Sequence, residues 1–246
     1  MKNDIEINKA RAVYYNIFAN FFILNGDMKS YFELLRMLNL LVQAPLDDGC
    51  AEAMKNILSK LDKDSNVTLM QEFDNIFHSP LSKNIRTTAS FYDEQVESGK
   101  KRVQMVEFVA KTPIRRDEQK YHEYEDSVGF IFAFMSELIE LINSGKVEYI
   151  NTVHCVFEQV LNEFVDEFAK NVYEHKKSDI YRNLMVVLHS FIEFERLYLQ
   201  VSKPKPKEVL NQKDNLSDEE RARRERNKAL KALGPKQSCS DGSCAS

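Results

Sequence analysis

The chain has 246 residues, 43% hydrophobic and 29% charged, with a net charge of −4. Seven glycines and six prolines are under half of the ~12% that an average chain carries, which excludes a sheet-rich fold with many tight hairpins and any collagen-like or low-complexity class. The apolar content excludes wholesale disorder, and the sign of the charge excludes a molecule built to coat nucleic acid.

In chain order, residues 5–24 place Ile7, Ala10, Val13, Tyr14, Ile17, Phe18, Phe21 and Phe22 at three-and-four spacing, the stripe of a helix facing a core. Asn25-Gly26-Asp27 is a helix stop. Residues 29–43 repeat the pattern with Phe32, Leu35, Leu38, Leu41 and Val42, ending at Pro45. Asp47 and Asp48 suit the start of a third helix running to about residue 61. Ser65 opens a fourth, with Leu69, Met70, Phe73, Ile76 and Phe77 inward.

The periodicity breaks over 78–90, where Ser79-Pro80-Leu81-Ser82-Lys83-Asn84 is loop chemistry. A helix over 91–111 and a charged loop over 113–122 follow, then three long helices over 125–143, 147–174 and 179–199, the last with Ser178 as its N-cap. No alternating strand pattern or internal repeat stands between them. The expectation is an all-α bundle of about eight or more helices.

From Ser202 the composition changes. Residues 202–246 hold eleven basic and seven acidic residues, a net of +4, which leaves 1–201 at −8. Lys203-Pro204-Lys205-Pro206-Lys207 favours extended chain. The expected organisation is therefore a helical domain over 1–201 and a basic, mostly disordered tail over 202–246. The tail carries a marginal helix at 218–233, opened by the capping-box spacing of Ser217-Asp218-Glu219-Glu220.

The longest apolar run, residues 128–135, is far short of the roughly 20 residues a membrane span needs. The first residues are charged, with no cleavage-site pattern behind an apolar segment. With four scattered cysteines, a cytoplasmic protein with reduced thiols is expected. No phosphate-cradling glycine loop, nucleophile elbow or HExxH is present, and no histidine has a glutamate three residues before it, as a di-iron bundle requires. His154-Cys155 reads as a buried, inert thiol. Cys239 and Cys244 can close a small disulfide loop, supply half a metal site, or do neither. The residues give no enzyme.

Four segments, in order, resemble the family of TorD-like cytoplasmic chaperones, with their DmsD and NarJ relatives, which mature molybdenum-containing oxidoreductases. The first is Ala10-Arg11-Ala12-Val13-Tyr14-Tyr15-Asn16-Ile17-Phe18-Ala19. The second is Glu72-Phe73-Asp74-Asn75-Ile76-Phe77 with Pro80 and then Ser90-Phe91-Tyr92, similar to the family's proline-containing loop and Ser-x-Tyr. The third, Glu123-Tyr124-Glu125-Asp126-Ser127 before Val128-Gly129-Phe130, is similar to its E-P-x-D-H signature; the fourth runs over 168–197 with Tyr181 and Phe191. Tyr124 stands where the family has proline, Ser127 where it has histidine, and Thr88 where a tryptophan is common.

The resemblance implies a chaperone that binds the N-terminal twin-arginine signal segment of an apo-molybdoenzyme and assists cofactor insertion before export. A formate dehydrogenase comes first among clients that also include nitrate and N- or S-oxide reductases. It implies no cofactor of its own, the molybdopterin belonging to the client, and a monomer or homodimer. Independently, paired guanidinium groups followed by an apolar stretch call for carboxylates beside a greasy groove. Glu123, Glu125 and Asp126 precede an apolar helix, and with Ser90, Phe91, Tyr92 and Ser127 they form the expected peptide-binding set. The same acids would equally complement a helix macrodipole, and the aromatic pair would equally serve as core. Gly129 inside a helix implies close approach by another helix or a ligand. The reading from a different class is a helical adaptor whose basic tail docks on an acidic partner or nucleic acid; the chaperone reading expects no nucleic acid.

Overall fold

The computed structural model describes residues 5–24, 26–80, 84–119, 121–205 and 223. The expected tail helix at 218–233, apart from Arg223, and the Cys239/Cys244 pair lie outside the described residues, as does Asn25. Residues 1–204 form one compact unit.

Ten α-helices occur among the described residues: α1 (Ile5–Phe22), α2 (Met28–Leu41), α3 (Asp48–Lys60), α4 (Val67–Phe73), α5 (Ala89–Glu94), α6 (Lys100–Ala110), α7 (Val128–Asn143), α8 (Ile150–Val156), α9 (Asn162–Glu174) and α10 (Ile180–Leu199). A π-turn, Asp74–His78, prolongs α4, and another, Phe157–Leu161, joins α8 to α9. With the 3₁₀ turn Val147–Tyr149, that second rod is continuous from Val147 to Glu174, as the sequence pattern requires. No strand occurs among the described residues, only an isolated antiparallel bridge between Thr88 and Ser127.

Helix α1 lies along α7, and α10 packs against α3 and α9. The centre is aromatic: Phe132 and Phe191 pack on Phe18 with ring centroids 5.3 and 5.5 Å from it. Phe22, Phe77, Phe168 and Tyr181 form a second cluster beside them. Gly129 permits the α1–α7 contact. A Cβ there would lie 2.9 Å from Ile23 Cγ1 and 3.2 Å from the Phe22 carbonyl. The other helix is α1, as the glycine implied. Gly129→Ala gains helix propensity of about 1 kcal/mol but drives a methyl into backbone that cannot turn aside. The expected net is a loss of about 1–2 kcal/mol, read as a melting midpoint lower by about 2–8 °C.

Helix starts follow side-chain chemistry. Asp27 caps α2 by accepting from the Lys29 and Ser30 amides, and Asp47 caps α3 through the Cys50 amide at 2.7 Å. Four expectations are corrected. The helix over 91–111 is two helices, because Gln95 adopts the left-handed conformation (φ 59°) and Gly99 begins α6. Ser178 does not cap α10; the Glu72 carboxylate, reaching over from α4, accepts from the amides of Asp179, Ile180 and Tyr181 at 2.8–3.0 Å. Ser65 precedes α4, which starts at Val67. Helix α2 turns Tyr31, Leu34, Leu38 and Leu41 inward and leaves Phe32 half exposed.

Helix α1 departs from its stripe most instructively. Ala10 is exposed, while Asn8 and Arg11 are buried. The Arg11 guanidinium meets Glu195 of α10 in two hydrogen bonds (2.5 and 2.8 Å), donates to Asn8 at 2.8 Å and lies 4.5 Å from the centroid of the Tyr198 ring. Tyr15 donates its hydroxyl to the same carboxylate at 2.9 Å. Burial works against the charge on Arg11, but Glu195 outweighs it and holds the guanidinium above its ordinary value.

Candidate functional site

The second and third resembling segments meet on one side of the bundle. The backbone stitches them together: Ala89 donates to the Asp126 carbonyl and Val128 to the Thr87 carbonyl, both at 2.8 Å. Thr88 and Ser127, two of the positions that depart from the family pattern, face one another in the isolated bridge. Ser127 then caps α7, accepting from the Phe130 amide, and its hydroxyl lies 2.5 Å from that of Tyr121. No acid sits in the first turn of α7, because the helix begins at Val128 and the acids precede it. The macrodipole reading of those acids is thereby withdrawn.

The seven expected peptide-binding residues divide. Ser90, Asp126 and Ser127 are wholly buried. Asp126 accepts from the Ser90 amide at 2.9 Å, and Ser90 Oγ accepts from the Arg102 amide at 3.1 Å, linking the start of α7 through α5 to α6. Burial lifts the Asp126 carboxyl, although the Ser90 hydrogen bonds pull the other way. A buried carboxylate holding backbone donors is a structural latch. As it stands Asp126 is not a surface acceptor. Tyr92 is also core: its hydroxyl donates to the Arg86 carbonyl at 3.0 Å and its ring packs on Phe164. Phe91 is half-buried with the Arg86 guanidinium over its ring.

Glu125 is already engaged. Arg102 and Arg116 hold its two oxygens at 3.0 and 3.1 Å. Burial alone would raise its carboxyl, but hydrogen bonds from the backbone and Arg102 and the Arg116 charge outweigh that and hold it below the ordinary range. Arg102 also lies 4.1 Å from the centroid of the half-exposed Tyr124 ring.

Glu123 differs. It is half-buried, its hydrogen-bond donor is the Tyr121 hydroxyl at 3.3 Å, and no lysine or arginine pairs with it among the described residues. Burial is the main cause that raises its carboxyl, opposed by neighbouring hydroxyls and His78. It opens into a cleft of about 240 Å³ whose walls include Phe77, His78, Arg86, Glu97, His122 and Tyr124. Glu97 there accepts from Thr88 at 2.9 Å and pairs with Arg86 at 3.1 Å. The cleft thus offers one uncompensated carboxylate, a second that is shared, and aromatic walls. It suits a cationic group attached to an apolar chain. The arginines that neutralise Glu125 were missed in the sequence because 102 and 116 lie on separate elements with no pattern joining them to it.

Elsewhere, Asp166, His189 and Glu193 bring ligand atoms within 4.8 Å of one another. Arg196, however, hydrogen-bonds both carboxylates, and Lys203 pairs with Asp166. Cations already occupy what a metal would need. Cys155, expected to be buried, is half-buried; Cys50 is the wholly buried thiol.

A sequence model described as the nitrate reductase delta subunit matches residues 43–170, just over half of the chain and all of the cleft. The chain belongs to that family. Its members are the NarJ/TorD-like chaperones of molybdoenzyme maturation, not enzymes. No curated protein matches the chain. Among solved structures, one described as a redox enzyme maturation protein from Archaeoglobus fulgidus is 19% identical, with a TM-score of 0.49, covering 75% of this chain and 93% of that one. Membership rests on the family match. The all-helical architecture fits that membership, and no helix among the described residues is long and apolar enough to cross a membrane.

Proposed function

We propose that this delta-subunit family chaperone binds the N-terminal twin-arginine segment of a molybdopterin-containing oxidoreductase in the cleft between the 84–92 segment and the 121–127 segment. It acts in the cytoplasm, holding the apo-enzyme for cofactor insertion before export. The observation that supports this reading is Glu123, a half-buried carboxylate with no arginine or lysine partner among the described residues, walled by Phe77 and Tyr124. An incoming guanidinium supplies the missing charge and forms hydrogen bonds of the charge-assisted kind. Ser90, Asp126 and Ser127 hold the walls, and Phe91, Tyr92 and Glu125 fix their spacing. The molybdopterin belongs to the client, with a formate dehydrogenase first in order of test. The chaperone itself works as a monomer or homodimer.

The test is calorimetric titration of the full chain with a peptide carrying two adjacent arginines and an apolar stretch. Glu123→Gln keeps the shape and removes the charge. It is expected to weaken binding by about 1.5–3 kcal/mol, roughly 10- to 150-fold. The pH dependence has a definite sign. A guanidinium prefers the carboxylate, so affinity falls as pH drops from neutral, and the fall comes above the ordinary glutamate value of 4.5 because the Glu123 carboxyl is raised. The Glu123→Gln variant is expected to lose that dependence, which ties it to this carboxyl. Unchanged affinity in that variant removes the cleft from the reading. Capture of the client from cells by the full chain, followed by mass spectrometry, names it.

A further inference from the structure

Helix α6 has two apolar faces. Met105 and Val109 point inward, and Lys101 and Gln104 bond to Gln159 on the π-turn after α8. A neighbouring, outward face carries Val103 at 60% exposure, Val106 at 45%, and exposed Ala110, at the three-four-seven spacing of a buried helix face. Val96, also about half exposed, lies at its head: its Cγ2 is 2.9 Å from where a Cβ on Gly99 would sit. Valine in an exposed helix has neither high propensity nor a packing return. Helix α6 packs on α5 and α8, and that outer face has no cover among the described residues.

The stripe begins at the rim of the cleft. Glu97, next to Val96, lines the cleft, and Arg102, next to Val103, stacks on Tyr124 in its wall. From Gly99 to Val106 the helix rises about 10 Å, the span of roughly three extended residues. We infer that the Val96–Val103–Val106–Ala110 face seats the apolar stretch that follows the paired arginines of the client segment, while the cleft takes a guanidinium. The inference rests on the proposed function and adds the second half of the contact. Its occupant is an apolar peptide segment attached to a cation, because an uncompensated carboxylate and an uncovered apolar stripe share one edge.

The full chain would be titrated with two synthetic peptides. Each carries two arginines, followed in one by eight leucine, alanine and valine residues and in the other by eight serine and glycine residues. The wild-type chain is expected to bind the apolar peptide at least tenfold more tightly than the polar one. Val103→Ser/Val106→Ser is expected to lose that advantage and keep its affinity for the polar peptide, with an unchanged circular dichroism melt. Val103→Ala/Val106→Ala, which favours the helix, is a second version expected to lose part of the advantage. An advantage retained in the serine variant overturns the inference. So does equal weakening toward both peptides, or sedimentation showing that the serine changes dissociate a dimer without altering peptide affinity. If the wild-type chain binds neither peptide, the underlying reading of the cleft fails first, which is a separate result.

Discussion

Arg11→Leu is expected to destabilise the chain by about 3–5 kcal/mol, because it strands the Glu195 carboxylate in the core with no counter-charge. The pair is 1% and 0% exposed, so water cannot replace the guanidinium without opening α1 from α10. Asn8 also loses the Arg11 donor and keeps that of Tyr198, while Tyr15 keeps its bond to the carboxylate but cannot neutralise it. For a helical body of about 200 residues, that loss lowers the melting midpoint by roughly 6–20 °C. The double variant Arg11→Met/Glu195→Gln removes both charges and leaves an amide oxygen for Tyr15. It is expected to recover at least half of the loss, because the penalty lies in the orphaned charge rather than in the absence of an ion pair. Thermal melts of Arg11→Met, Glu195→Gln and the double variant give the coupling directly. Additive losses would show that the pair is not coupled.

Glu72→Ala is expected to cost about 2–3 kcal/mol. One carboxylate takes the first amides of α10, and α10 contributes Tyr181, Leu184, Leu188 and Phe191 to the core. The loss should localise. Hydrogen exchange should accelerate at the start of α10 and at Phe21, whose carbonyl accepts the Tyr181 hydroxyl at 2.6 Å, and less in α7. Glu72→Gln retains an acceptor without the charge and should cost less. Uniform acceleration across the chain would mean that the cap acts on global stability rather than on this helix end. Neither substitution touches the cleft, so peptide affinity measured well below the midpoint should be unchanged.

The rods of the bundle were legible because burying one face repeats every three or four residues, and that repeat survives in the sequence. The 147–174 rod, the Asp47 cap and the close approach at Gly129 all follow from local rules of that kind. The same rules misassigned Phe32 and Ala10, where an amphipathic stripe is wide enough for its edge to turn either way. The break at Gln95 was hidden because nothing in a glutamine announces a left-handed backbone. The candidate site was legible as a neighbourhood and illegible as chemistry. The backbone bonds from Ala89 to Asp126 and from Val128 to Thr87 bring the two expected stretches side by side, yet along the sequence the three acids are equivalents. Packing distinguishes them: Asp126 is a latch, Glu125 a neutralised pair, and Glu123 faces the cleft with no lysine or arginine paired to its carboxylate among the described residues.

The sequence by itself determined the helical class, the lengths of the long helices, the acidic sign of the body and the family resemblance, since each depends on composition or on spacing along the chain. The tertiary structure decided which charges are free. Arg11 and Glu195 are 184 residues apart, and Glu125 meets arginines 23 and 9 positions earlier on different elements. Whether a carboxylate is silent or available depends on what lies within about 4 Å of it in space, and no periodicity along a chain encodes that.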